Sequence, residues 1–300
     1  MTLPNFLIVG AAKSGTTALY HYLKQHPDIF MPELIKEPMF FSGIHEGLFK
    51  GPTQIYARGK ITTIDQYIAL FQQANGQIAV GEASVPYLYY HARTIPKIIE
   101  VLDKHIKIII SLRHPAERAY SNYLHHVRDG LEPLGFAEAL EEESGRCREK
   151  WWWGYQYRDA SRYYSQVKAY IDAFGRENIH VILYEDLKQQ PQATLQGIFR
   201  FLAVDEQFVP DVSQRHNVSL VPKNPSLQDF LRQPHIVKNL LKPLLPMGLH
   251  KKLKERVIRA NMTRPPELDG AMRHRLVNEF REDIEKLQML LGRDLSSWLS

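Results

Sequence analysis

The residues near the start of the chain best suited to chemistry are Gly10-Ala11-Ala12-Lys13-Ser14-Gly15-Thr16-Thr17, a loop with two glycines, a lysine and three hydroxyls. Glycines let a backbone turn its N–H groups inward, and a helix starting at the end of such a loop adds unpaired N–H groups and a partial positive charge. That combination binds an oxyanion, most often a phosphate. In the nucleotide triphosphatase pattern a lysine follows the second glycine. Here Lys13 precedes Gly15, and Thr16 stands where that lysine belongs. A second set lies a hundred residues on, in Arg113-His114-Pro115-Ala116-Glu117-Arg118-Ala119-Tyr120-Ser121. With Arg113 at a strand end and Ser121 two turns along the next helix, both can face one anion. Glu37, between Lys36 and Pro38 and ahead of Met39, Phe40 and Phe41, is a carboxylate at the edge of an apolar wall. Such a group is a candidate general base, or else simply the ion-pair partner of Lys36.

These residues need strands and helices to position them. Phe6 to Val9 form a short apolar run between Pro4 and Gly10, which predicts a buried strand. Ala18, Leu19, Tyr22 and Leu23 recur at helical spacing and stop before Pro27. Thr63 reads as an N-cap for a helix through Ile64, Tyr67, Ile68 and Phe71. Gln77 to Glu82 predicts a second strand running into a Ser/Pro/Tyr turn, which puts Glu82 and Tyr87 at the sheet edge where open α/β sheets bind ligands. Ile106 to Leu112 is apolar almost throughout and predicts a central parallel strand. Helices are expected over Ile95–Leu102, from Pro115 onward, Arg158–Phe174, Pro191–Leu202 and Ala271–Leu291, with a further strand over Asn178–Tyr184. The stretch from Asn122 to Gly154 is read as helical, with Glu141-Glu142-Glu143 as a solvated face. Trp151-Trp152-Trp153 cannot all be buried on one side of an element, so part of the run, Trp153 for instance, is expected to line a pocket or close a lid.

The Lys-Ser-Gly-Thr-Thr order resembles the 5′-phosphosulfate loop of sulfotransferases that use 3′-phosphoadenosine 5′-phosphosulfate (PAPS). The Arg-x-Pro-x-x-Arg-Ala-x-Ser segment is similar to their 3′-phosphate motif. The Tyr184-Glu185-Asp186-Leu187 segment extends the resemblance to about residue 205, and the Leu-Leu-Gly-Arg-Asp-Leu-Ser-Ser-Trp ending also looks like this family. The resemblance implies a P-loop-like three-layer α/β fold, with a central, mostly parallel sheet flanked by helices. It implies that Lys13 stabilises the leaving oxygen, that Ser14, Gly15, Thr16 and Thr17 hold the 5′-phosphate, and that Arg113 and Ser121 read the 3′-phosphate. Glu37 corresponds to the base in the Lys-Glu-x-x-Phe-Phe segment of heparan-type members, whereas aryl and steroid sulfotransferases use a histidine. A basic loop that folds over the nucleotide in related enzymes makes Arg215 and Asn217 further candidates, and His216 beside them is a candidate for the acceptor side. The chain departs from the heparan-type pattern at Glu82-Ala83-Ser84, where relatives carry a lysine that touches an acidic sugar. That removes one reason to expect a glycosaminoglycan acceptor. Transfer to a hydroxyl of a glycan, lipid or small metabolite is the expected activity. An atypical P-loop kinase or ATPase, or a non-catalytic nucleotide- or membrane-binding protein, are the alternatives.

Composition agrees with a folded α/β protein read as a single domain over residues 1–300. The chain is 44% hydrophobic and 24% charged, which excludes an intrinsically disordered chain. A net charge of +5 favours anionic ligands without demanding nucleic acid, and no nucleic-acid partner is expected. Cys147 is the single cysteine, so neither an intrachain disulfide nor a Cys/His metal cluster can form. No metal is required by the expected chemistry, because the phosphate leaving group is already good. No apolar run approaches the roughly twenty residues of a membrane span, and a cytoplasmic location is the expectation. Residues 232–259 interleave lysines and arginines with leucine and isoleucine, a pattern that fits either peripheral contact with an anionic membrane or a solvated helix face.

Overall fold

The computed structural model describes residues 2–45, 48–52, 56, 60–213, 220–224, 256–257 and 260–300. Its frame is a five-stranded parallel sheet of β1 (Phe6–Gly10), β2 (Ile29–Phe30), β3 (Ala79–Ala83), β4 (Lys107–Leu112) and β5 (Ile179–Leu183). The strand order is β2-β3-β1-β4-β5. β1 is buried at every position and pairs with β3 on one side and β4 on the other, which is why its sequence is an unbroken apolar run. The sheet order turns at β1, so the loops after β1 and β4 leave from the carboxyl ends of neighbouring strands. In open α/β sheets that is where ligands bind.

Alternation along the strands divides the core in two. Leu7, Val9, Ile108 and Ile110 face one cluster, while Phe6, Ile8 and Ile109 face the other. Helix α1 (Thr16–Leu23) lies over the second face. On the chain between β2 and β4 come α2 (Ile64–Ala69), α3 (Pro86–Tyr89) and α4 (His91–Leu102). After β4 come α5 (Pro115–Arg128), α6 (Phe136–Glu141), α7 (Glu143–Arg148) and α8 (Tyr163–Phe174). Then α9 (Tyr184–Gln189) and α10 (Pro191–Leu202) follow β5, with α10 burying Leu195, Ile198, Phe199 and Leu202 on the α1 face. A short antiparallel pair, β6 (Val221–Pro222) and β7 (Met262–Thr263), precedes the long α11 (Gly270–Leu291). The stripe Leu276, Phe280, Ile284 and Leu287 of α11 packs into the first core, as its spacing predicts. The three-layer, P-loop-like α/β fold is the expected one.

Two local expectations are corrected. The segment 122–154 is not one helix: α5 ends at Arg128, and α6, α7 and a 3₁₀ turn over Trp153–Tyr155 follow. Glu143 is not solvated but buried, where it receives the Arg158 backbone N–H at 2.6 Å and Nε at 2.7 Å. A run of three glutamates conceals this, because a partner fifteen residues on decides which one is buried. Among the described residues no helix is long and apolar enough to cross a membrane.

Candidate active site

Two residues with positive φ turn the loop after β1, Lys13 at 68° and Gly15 at 82°. A lysine in the left-handed region costs about 1 kcal/mol, so tertiary contacts must hold it there. Gly15 has little alternative, because a Cβ built on it lies 2.8 Å from the Tyr184 ring. The loop is anchored from behind by Ser111 Oγ, which donates to the Ser14 carbonyl at 2.5 Å, and by Ala11 N–H, which donates to the Ser111 carbonyl at 2.7 Å. The Ser14 side chain is fully buried, its hydroxyl beside that of Tyr163. Lys13 faces the cavity beyond. Burial, then the nearby Arg128 and Arg113 charges, lower its ammonium from the usual lysine range to about 8. A lysine disfavoured in its charged form beside an anion loop is one that gains when an anion arrives.

Arg113 leaves the end of β4, and Ser121 lies along α5. Arg113 Nη1 donates to the Lys13 carbonyl at 3.4 Å, so the two motifs, a hundred residues apart in sequence, meet. The Arg113 guanidinium also lies over the Tyr184 ring, 5.1 Å from its centroid, and its carbonyl accepts from Tyr163 Oη at 3.0 Å. Tyr184 thus touches both the glycine of the first motif and the arginine of the second.

Lys13, Gly15, Thr16, Thr17, Glu37, Arg113, Ser121 and Trp153 all line one cavity of about 1000 Å³. That is the upper end of the size range of small-molecule sites, with room for a nucleotide and an acceptor together. Glu37 Oε1 accepts from Lys36 Nζ at 2.9 Å, and the same ammonium donates to Thr17 Oγ1 at 2.9 Å. Lys36 therefore ties the carboxylate to the anion loop instead of drawing it away to the surface. Lys36, Lys60 and Lys188 join Lys13 and Arg113 on the wall, giving the cavity a positive lining. On the far wall His125 Nε2 lies 3.1 Å from Asp129 Oδ2, and Tyr56 Oη donates to the same oxygen at 2.7 Å. His126 Nδ1 is 3.0 Å from Tyr157 Oη, which donates to Glu132 Oε2 at 2.8 Å. Burial holds both histidines below their ordinary range.

Not every expected residue reaches the cavity. The side chain of Ser14 and those of Glu82 and Tyr87 are fully buried and do not line it. Burial pushes the Glu82 carboxyl up to about 8, more than the neighbouring Ser84, Tyr87 and Tyr67 hydroxyls pull it down. Period-two alternation at the strand end turns Glu82 into the core, not toward the loop side. Tyr87 is likewise taken up inside, its hydroxyl accepting from Phe41 N–H at 3.3 Å. Arg215, His216 and Asn217 lie outside the described residues, as does nearly all of 232–259. Sequence reasoning missed His125, His126, Lys60 and Tyr184 as wall residues. For His125 a signal exists, since it stands one helical turn after Ser121 and so shares its face. Among the described residues there is no cluster of three or more His, Cys, Asp or Glu side chains fit to hold a metal ion.

Comparison with known proteins follows the same lines. The sulfotransferase domain model matches residues 3–219. A sulfotransferase crystal structure from Alicyclobacillus acidocaldarius is 35% identical, with a TM-score of 0.78 and 100% of each chain covered. The membrane-associated sulfotransferase kil1 of Dictyostelium discoideum is 24% identical, the match covering 77% of this chain and 62% of that protein. Bifunctional heparan sulfate N-deacetylase/N-sulfotransferase 3 of Homo sapiens is 26% identical, covering 99% of this chain and 31% of that protein. The chain thus spans less than two thirds of the length of these curated relatives.

Proposed function

This chain belongs to the sulfotransferase family, and from that premise we propose that it moves a sulfuryl group from PAPS to a hydroxyl of a glycan, lipid or small metabolite. The observation that carries the proposal is the meeting of Lys13 and Arg113 on one cavity, joined by a hydrogen bond from the arginine to the lysine carbonyl. A donor with phosphates at both ends of a ribose asks for two such grips. The residues present fit it: the left-handed turn at Gly15 and the hydroxyls of Thr16 and Thr17, all on the cavity wall, suit the 5′-phosphate. Arg113 can grasp the 3′-phosphate with two parallel N–H groups, with Ser121 as the second donor. When bound, PAPS supplies a sulfuryl group on a phosphate leaving group.

The chain's own residues do the remaining work by position and charge. Lys13, whose charged form an adjacent anion favours, stabilises the oxygen on which negative charge builds. Glu37 takes the acceptor proton, and Lys36 keeps that carboxylate within reach of the loop by holding Thr17 at the same time. Trp152 and Trp153, both mostly buried, give the same cavity an apolar aromatic stretch of wall. An amine acceptor, as the name N-sulfotransferase states for the relatives, is the alternative that product analysis separates.

Incubating the protein with PAPS and a fractionated metabolite and glycan extract tests the proposal. Adenosine 3′,5′-bisphosphate and a sulfated product should appear together. Glu37→Gln should retain bisphosphate affinity within about threefold while transfer falls by at least about a hundredfold, the scale of losing a general base. Better stabilisation by ATP with magnesium than by the bisphosphate would overturn the reading in favour of a kinase or ATPase.

A further inference from the structure

A second cavity of about 410 Å³ opens beside the first and shares Arg113 and Ser121 with it. Its other charged walls are Glu117 and Glu267, together with Arg273, which the first turn of α11 brings against α5. Glu117 stands between the two arginines. Arg113 Nη2 is 3.5 Å from its Oε2, and Arg273 Nε is 3.7 Å from its Oε1. Good charge-assisted bonds are about 2.7–2.9 Å. The carboxylate is therefore held loosely, one oxygen toward each cation. Arg273 is fixed firmly by its other edge: Nη2 lies 3.1 Å from His114 Nε2, and Nη1 donates to the Ser300 carbonyl. His114 is buried, and burial and the Arg273 charge lower its imidazole to about 4, so it is neutral and its Nε2 can accept. Arg273 is thus oriented in advance on the wall that already carries Arg113 and Ser121.

We propose that Arg273 is a further specificity residue for the donor, gripping the 3′-phosphate from the side opposite Arg113, with Glu117 as a placeholder that the phosphate displaces. The inference rests on the donor proposed above. A phosphate carries a charge of about −1.5 to −2 against −1 for the carboxylate, and it has three acceptor oxygens for two guanidiniums. Exchange costs two long contacts and returns short ones. Neither a spacing rule nor a motif singles out Arg273, which lies 160 residues beyond Arg113.

Calorimetric titration with adenosine 3′,5′-bisphosphate and with adenosine 5′-monophosphate tests this in the full chain. Wild type should bind the bisphosphate at least tenfold more tightly; no preference would overturn the donor itself, not Arg273 alone. Given that preference, Arg273→Gln should reduce it by at least tenfold with monophosphate affinity within twofold, and Arg273→Lys should restore part of it. Equal loss for both ligands, or an unchanged ratio, would reduce Arg273 to a structural residue and overturn the inference. Glu117→Gln should tighten bisphosphate binding by about threefold, by removing the competing anion. If Arg273→Gln does not fold, that variant decides: bisphosphate affinity unchanged or lowered overturns the inference.

Discussion

The lowered Lys13 ammonium has a direct thermodynamic consequence, because ligand binding must charge it. With a value of about 8 in the free protein, about half of the Lys13 side chains are neutral at pH 8. A phosphate or sulfate oxygen beside the ammonium favours the charged form and returns it toward the usual lysine range near 10.5. Binding of adenosine 3′,5′-bisphosphate should then take up about 0.1 proton at pH 7, about 0.5 at pH 8 and about 0.9 at pH 9. Affinity should fall about tenfold between pH 7 and 9, close to 1.4 kcal/mol. Above pH 7 the ligand phosphates are ionised, and His125 and His126 are already neutral by burial, so the signal belongs to Lys13 and to Lys60, which shares the cavity and is also lowered by burial. Titration calorimetry in two buffers of different ionisation enthalpy measures proton uptake directly. Lys13→Met should remove about 0.5 proton of the uptake at pH 8 and flatten the pH dependence. An uptake below about 0.1 at pH 8, or one unchanged in Lys13→Met, refutes the reasoning that burial holds this lysine ready for an anion.

Other perturbations read different parts of the structure. Arg113→Ala should weaken bisphosphate binding by about a hundredfold and adenosine 5′-phosphate binding by less than threefold, the scale of a lost charged hydrogen-bond pair; equal losses in a binding titration would remove its 3′-phosphate role. Gly15→Ala places a methyl 2.8 Å from the Tyr184 ring at φ +82°. The clash and strain, about 2–3 kcal/mol together, should lower Tm by roughly 5 °C and abolish stabilisation by the bisphosphate; scanning calorimetry with and without ligand checks both. Glu82, with a folded value near 8 against an ordinary 4.5, keeps a proton that the unfolded chain loses. Its stabilising contribution is complete below pH 4.5 and is lost as pH rises to 8, at about 1.4 kcal/mol per unit. Denaturation at pH 5, 6, 7 and 8 should show that decline in wild type and a flatter line in Glu82→Gln.

The fold was legible where one physical constraint dominates a segment. β1 and β4 are buried on both faces, so their apolar runs announced parallel strands, and α11 showed its stripe because one side only is covered. The family and the α/β frame expected from the two motifs are borne out. The anion loop, Glu37, Arg113, Ser121 and Trp153 were legible as candidates because each carries chemistry unusual for its place, and the structure brings them to one cavity. What the sequence hid depends on partners far away along the chain. Glu82 and Glu143 look like surface or edge carboxylates until the residues packed around them are known. Lys36 looked like a rival for Glu37 and instead bridges it to Thr17, and nothing in local spacing tells a competing ammonium from a supporting one.

β1 and β4 run side by side, with Leu7 opposite Ile108 and Ile8 opposite Ile109, and the register shifts between Ile8 and Gly10 where the loop begins. The loops that carry Lys13 and Arg113 thus leave adjacent strands, about 4.8 Å apart, and the arginine reaches back to the lysine carbonyl. The foundation of the cleft is therefore backbone pairing, which keeps two segments a hundred residues apart in sequence as lasting neighbours.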